Sequence, residues 1–205
     1  MSALEIADII GIISFALSGL LIAVHCKLDI LGVFISAFLT AFGGGMTRDV
    51  LADRTPYVFT SNLPLSLVIA TVLIAMLFKL HKITNLEGKW AFVISDAIGL
   101  SSFAITGAII AIESDSNFLS AVMLAFITAV GGGTIRDVLI NRMPFILVSE
   151  FYATVALIIG SVVYILDAFE LRNIFSLIIV FIFGVVLRVL AYYKKWHLPT
   201  LSKEN

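Results

Sequence analysis

The stretch GGGMTRDVLADRTP, Gly43 to Pro56, returns 88 positions later as GGGTIRDVLINRMP, Gly131 to Pro144. At that offset the correspondence runs back without a gap to Asp8 and Asp96, and roughly half of the paired positions are identical. Each copy sets a glycine triplet and an Arg-Asp pair into an otherwise apolar run. Charges in such runs are costly in lipid, and interrupted helices at matching positions of two halves mark a transport route.

The rest of the chain agrees with a lipid environment. Of its 205 residues 60% are hydrophobic and 13% charged, with a mean hydropathy of +1.11; a soluble domain carries about 25% charged residues. The net charge of -1 gives no reason to expect a nucleic-acid partner. A single cysteine, Cys26, excludes an internal disulfide and a Cys-rich metal site. His25, His81 and His197 are scattered, so neither a metal nor a cofactor is expected. No nucleophile has a histidine near it at membrane depth, which argues against an enzyme. The first apolar segment carries Glu5 and Asp8 where a signal peptide would carry Lys or Arg, and residues 96–112 repeat it. It is therefore expected to be retained as a helix.

A helix needs about 20 residues to cross about 30 Å of hydrocarbon. Seven segments fit or nearly fit: about 4–24, 30–51, 64–80, 90–112, 118–140, 149–166 and 173–193. Their length excludes the short alternating strands of a β-barrel. Lys27, Lys79, Lys82, Lys89, Arg142, Lys194 and Lys195 fall in one set of connections. Arg54, Arg172 and the acidic Glu113-Ser114-Asp115 loop fall in the other. The excess of cations on one side predicts an outside N-terminus and a cytoplasmic C-terminus, with Tyr192, Tyr193 and Trp196 as interfacial anchors. Three spans per repeat force the second copy to enter the membrane inverted. The expected fold is an all-α membrane protein with seven transmembrane helices. Residues 1–88 form the first repeat, 89–172 the second, inverted repeat, and 173–205 an extra helix with a cytoplasmic tail.

Three glycines in a row cost about 1 kcal/mol each in helical propensity. They predict that the second and fifth helices break at Gly43, Gly44, Gly45 and at Gly131, Gly132, Gly133. The competing expectation is close helix packing. A break frees carbonyl oxygens that can replace part of a cation's hydration shell. Thr40, Thr47, Thr128 and Thr134 flank the triplets and would add hydroxyls, unless each bonds its own backbone.

Asp8 begins a helical stripe with Gly11, Ser14, Ser18 and Gly19, and Asp96 begins its counterpart with Gly99, Ser102, Thr106 and Gly107. Asp8 with Arg48, and Asp96 with Arg136, are expected to form buried ion pairs, lining the path or locking the fold. Asp49 and Asp137 follow the arginines directly, about 100° around the helix, and need not pair with them. Arg188 is expected to snorkel toward the inner interface.

Two copies of GGG-x-x-RD-x-L on seven spans, covering residues 4 to about 195, resemble the prokaryotic TRIC family, the trimeric intracellular cation channels. The resemblance implies a homotrimer in the bilayer, one pore per protomer, permeation by K⁺ and Na⁺, and both triplets at the constriction. Animal members carry a Lys-Glu-Val motif where this chain has Gly131-Gly132-Gly133, so their gating behaviour is not carried over. A cation channel is the first reading. A secondary transporter of a small zwitterion such as glycine is the second, because inverted repeats also serve alternating access. A scaffolding protein is the third, disfavoured by two embedded charge clusters.

Overall fold

The computed structural model describes residues 2–80, 86–148 and 151–196. His81, Lys82 and His197 of the sequence reading lie outside the described residues. The described chain is helical: α1 (Ala3–His25), α2 (Ile30–Leu51), a 3-10 turn (Tyr57–Phe59), α3 (Leu63–Leu77), α4 (Leu86–Glu113), α5 (Phe118–Leu139), the single turn α6 (Phe145–Val148), α7 (Tyr152–Ala168) and α8 (Ile174–Tyr193). Among the described residues, α1, α2, α4, α5 and α8 are long and apolar enough to span a bilayer. The apolar helices α3 and α7, with 15 and 17 residues, stand where the third and sixth spans were expected and are shorter. Helix α4 begins at Leu86, so residue 89 falls inside its first turn.

Local chemistry sets the helix ends, and it does so twice. The Asp29 carboxylate accepts from Gly32 N at 2.7 Å, and its counterpart Asn117 accepts from Ser120 N at 3.0 Å. Each satisfies a first-turn amide that has no partner within the helix. Ser2 and Glu5 form a reciprocal capping box at the start of α1. At the far ends the chain turns through left-handed residues at Lys27 and Asp115, and again at Asp53 and Asn141. Both pairs are 88 positions apart.

The twin helices α1 and α4 pack face to face. Phe15 and its counterpart Phe103 meet edge to face, with centroids 5.1 Å apart. A β-carbon on Gly11 would collide with the Phe103 ring, and one on Gly99 with the Phe15 ring. Reciprocal contacts between equivalent residues are the mark of a two-fold relation. The direction of the helices follows from two links. Arg142 Nη1 lies 3.4 Å from Cys26 Sγ at one end of the molecule. Arg54 lies 4.0 Å from Glu113 at the other end, where Ser2, Arg54 and Ile110 line one cavity. So α1 leaves the end at which α4 finishes, and the twins run antiparallel. Helix α4 is the most enclosed span, with 89% of its apolar window buried, whereas α8 has 28% and forms a wall. Phe175, Ile179 and Phe183 of α8 remain exposed, as a lipid-facing surface would be.

Neither triplet breaks its helix. α2 and α5 run without interruption through Gly43–Gly45 and Gly131–Gly133, and no described glycine has a positive φ. The glycines serve helix packing instead. A β-carbon on Gly44 would overlap the Thr128 carbonyl oxygen, and one on Gly132 the Thr40 carbonyl oxygen. One on Gly43 would sit 3.0 Å from Gly132 Cα. The two backbones thus touch, as glycine faces allow in membrane helices. The propensity cost of the triplets is smaller than that of releasing backbone hydrogen bonds inside lipid, which runs to several kcal/mol per group.

Candidate functional site

The stripe on each long helix and the Arg-Asp pair beyond each triplet converge on two buried charge clusters. In the first, Arg48 is 2% exposed and Asp8 6%. Arg48 Nη1 donates to Asp8 Oδ1 at 2.7 Å and Nη2 to Asp8 Oδ2 at 3.3 Å, a bidentate pair. Nη1 also donates to Thr106 Oγ1 of α4 at 2.8 Å. The expected Asp8–Arg48 pair is therefore present. Arg48 also pairs with its neighbour, which the sequence left open: Nε donates to Asp49 Oδ1 at 2.9 Å. Asp49 Oδ2 accepts from Tyr57 N at 2.8 Å, fixing the turn after α2. Burial, with the Asp8 and Glu5 carboxylates nearby, pushes the Tyr57 phenol above its ordinary range.

The second cluster repeats half of this. Arg136 Nε donates to Asp137 Oδ1 at 2.9 Å, and Asp137 Oδ2 accepts from Phe145 N at 2.9 Å. The other half differs. Among the described ion pairs there is none between Asp96 and Arg136, so the expected pair is absent. Asp96 instead accepts from Ser18 Oγ of α1 at 3.3 Å and faces Tyr152. Arg188 does not snorkel. It is 1% exposed, with its guanidinium carbon 4.7 Å from the Tyr152 ring centroid and 5.7 Å from that of Phe145. Sequence reasoning missed its role, as it missed Tyr152. The available signal was Gly184, one turn before Arg188, whose missing side chain lets α8 approach Ser101 and Ile159.

The threonines spend their protons on their own helices. Thr40, Thr47, Thr128 and Thr134 donate to the carbonyls of Ser36, Gly43, Leu124 and Val130 at 2.6, 2.8, 2.5 and 2.8 Å. Of the stripe residues, Ser18, Ser102 and Thr106 are buried and Ser14 is half-buried. The first cluster opens to the surface of the molecule through a cavity of about 350 Å³, bounded by Ser2, Glu5, Asp8, Asp49, Arg54 and Tyr57. Beyond Asp8 and Arg48, toward Gly45 and Phe103, the space shrinks to about 20 Å³. That is room for about one water.

The chain is similar to proteins already known. A family described as "Glycine transporter" matches it twice, over residues 5–80 and 93–168. It is 37% identical over 201 residues to the UPF0126 membrane protein YvgT of Bacillus subtilis, which covers 98% of this chain and 97% of that protein. A structure described as the basis for conductance through TRIC cation channels is 36% identical, with a TM-score of 0.83 over 98% of both chains. The TRIC trimeric intracellular cation channel orthologue from Rhodobacter sphaeroides is 28% identical, with a TM-score of 0.86 over 95% of this chain and 100% of that one.

Proposed function

The chain belongs to the TRIC family, and from that premise we propose that it is a monovalent-cation channel, carrying K⁺ and also Na⁺, with one route in each protomer. The observation that carries the reading is the vestibule beside the first charge cluster. Glu5, Asp8 and Asp49 set three carboxylates there against the two guanidinium groups of Arg48 and Arg54. The net negative charge raises the local concentration of cations. The route continues past Asp8 and Arg48 to the contact between α2 and α5. The two glycine triplets, with Thr47 and Thr134, form its narrowest part, and Ser14, Ser18, Ser102 and Thr106 lie along its sides. Room for a single water beside Gly45 and Phe103, and the backbone contact between the triplets beyond it, correspond to a closed conformation.

In this reading the five long helices and the shorter α3 and α7 together cross the plasma membrane of a prokaryote, as an inverted pair of three-helix repeats plus α8. The N-terminus is outside and the C-terminus cytoplasmic. The protein assembles as a homotrimer, as its relatives' description implies, and needs no cofactor. The family description favours a second reading, a secondary transporter of a small zwitterion such as glycine. Six repeat helices leave little mass for one bundle to rock against another, which favours the channel.

The test is a planar-bilayer recording of the purified protein under a KCl gradient. Unitary steps reversing near the K⁺ potential support the channel. A silent bilayer together with saturable glycine uptake into liposomes supports the transporter, since a conformational cycle runs on the μs–ms scale or slower.

A further inference from the structure

Two clusters built from one repeated sequence are satisfied to different degrees. Asp8 is held by two hydrogen bonds from Arg48. Its counterpart Asp96, 2% exposed, faces the Tyr152 hydroxyl but has no partner within hydrogen-bond geometry of Oδ2, and Arg136, 1% exposed, has none for Nη1. Even the contact to Asp96 Oδ1 is long, at 3.3 Å from Ser18 Oγ, where an O–H···O bond normally falls at about 2.5–3.0 Å. Buried polar atoms of this kind are nearly always satisfied by protein or by ordered water, and charged ones cost most when left bare.

There is room beside them. A β-carbon built on Gly133 would meet only Arg136 Nη2 at 3.7 Å and Tyr152 Oη at 4.0 Å. The surface beside Gly133 is thus bounded by a guanidinium and a phenol, whereas the counterpart surface at Gly45 meets only the Arg48 guanidinium, at 3.9 Å. Charge decides what fits. Arg136, with Arg188 close by over Tyr152, repels a cation. The Asp96 carboxylate repels an anion. A small neutral group that donates to the carboxylate and accepts from the guanidinium suits both.

We propose that ordered water occupies this site between α4, α5 and α7, bridging Asp96 Oδ2 to Arg136 Nη1. The second cluster is then bridged by water where the first is closed by the direct Asp8–Arg48 contact. Water does there what a direct contact does in the first half. This holds whatever the protein conducts.

The test is a crystal structure of the full-length protein grown in KCl, with a second crystal soaked in a thallium(I) salt. The expected result is a density peak within about 3.2 Å of both atoms, with no anomalous thallium signal. A thallium signal at the peak would make it a cation site and overturn the proposal. So would Arg136 turned directly onto Asp96, or a site with no peak. A matched pair of variants tests the same point in solution. Gly133→Ala and Gly45→Ala meet nothing closer than 3.7 and 3.9 Å, so neither is overpacked. Gly133→Ala, which displaces the water, should lower the apparent melting temperature by a few degrees relative to Gly45→Ala. Equal shifts in the two variants would count against the proposal.

Discussion

Ser18 and Thr106 stand 88 positions apart, and each crosses to the other half's charge. Ser18 Oγ donates to Asp96 Oδ1 at 3.3 Å, and Thr106 Oγ1 accepts from Arg48 Nη1 at 2.8 Å. The two bonds tie α1 to α4 from both sides of their contact. They are unequal in length, so the variants should be unequal in cost. Thr106→Val keeps the shape, removes the acceptor of a buried guanidinium, and should cost about 1–3 kcal/mol. Ser18→Ala loses a longer bond and should cost about 0.5–1 kcal/mol. Thermal denaturation in detergent gives the order, and a Ser18→Ala loss as large as that of Thr106→Val would contradict it.

Asp8 and Arg48 form a buried pair, 6% and 2% exposed, so removing one partner leaves the other charge without its counter-ion. Asp8→Asn or Arg48→Gln should each destabilise by about 3–5 kcal/mol. The double variant should lose clearly less than the sum of the singles, since neither charge is then stranded. The corresponding cycle at Asp96 and Arg136 should show weaker coupling, because those groups do not touch. Equal coupling energies at the two sites would show that the halves are equivalent in solution.

The glycine triplets contain positions with opposite tolerances. Gly44 and Gly132 face carbonyl oxygens of the opposing helix, and Gly45 has 3.9 Å of clearance to its nearest neighbour. Gly44→Ala or Gly132→Ala should force α2 and α5 apart at a cost of about 1–3 kcal/mol or more. Gly45→Ala should be neutral or slightly stabilising, through helix propensity. If all three variants melt alike, the helix contact is not where the structure puts it.

These tolerances show where the sequence was readable. The period of the apolar runs placed α2 at 30–51 and α5 to within one residue of its end, because the capping residues Asp29 and Asn117 are local signals. Topology, which puts Asp8 and Arg48 toward the same side, was enough to pair them, but the same reasoning paired Asp96 with Arg136, which do not meet. It did not reveal that Ser18 and Thr106 reach across the halves, because that depends on how α1 meets α4. Helical propensity misread the triplets, since it is blind to a partner helix that needs a surface with no side chains. Arg188 was misread for a related reason. It belongs to α8, outside the repeat, so no counterpart in the first half announced its burial.

The single cysteine makes the proposed orientation measurable. Cys26 is half-buried at the end of α1, beside Arg142, on the side proposed to be cytoplasmic. A membrane-impermeant maleimide should leave it unlabelled in intact cells and label it after permeabilisation. Labelling of intact cells would reverse the orientation.

Glu5 offers a test of the vestibule that spares the fold. Its carboxylate caps the Ser2 amide and adds one of the three negative charges at the entrance. Glutamine serves a capping box as well as glutamate does, so Glu5→Gln removes the charge and keeps the helix end. A unit charge several ångströms from a hydrated path changes the local cation concentration by about two- to threefold in water. Salt screens that effect, with a Debye length of about 30 Å at 0.01 M and about 3 Å at 1 M. Unitary K⁺ conductance of Glu5→Gln should therefore fall about two- to threefold at about 0.01 M KCl and match the unaltered protein at about 1 M. A loss independent of salt would mean a blocked or distorted route. No loss at either concentration would mean that cations enter elsewhere.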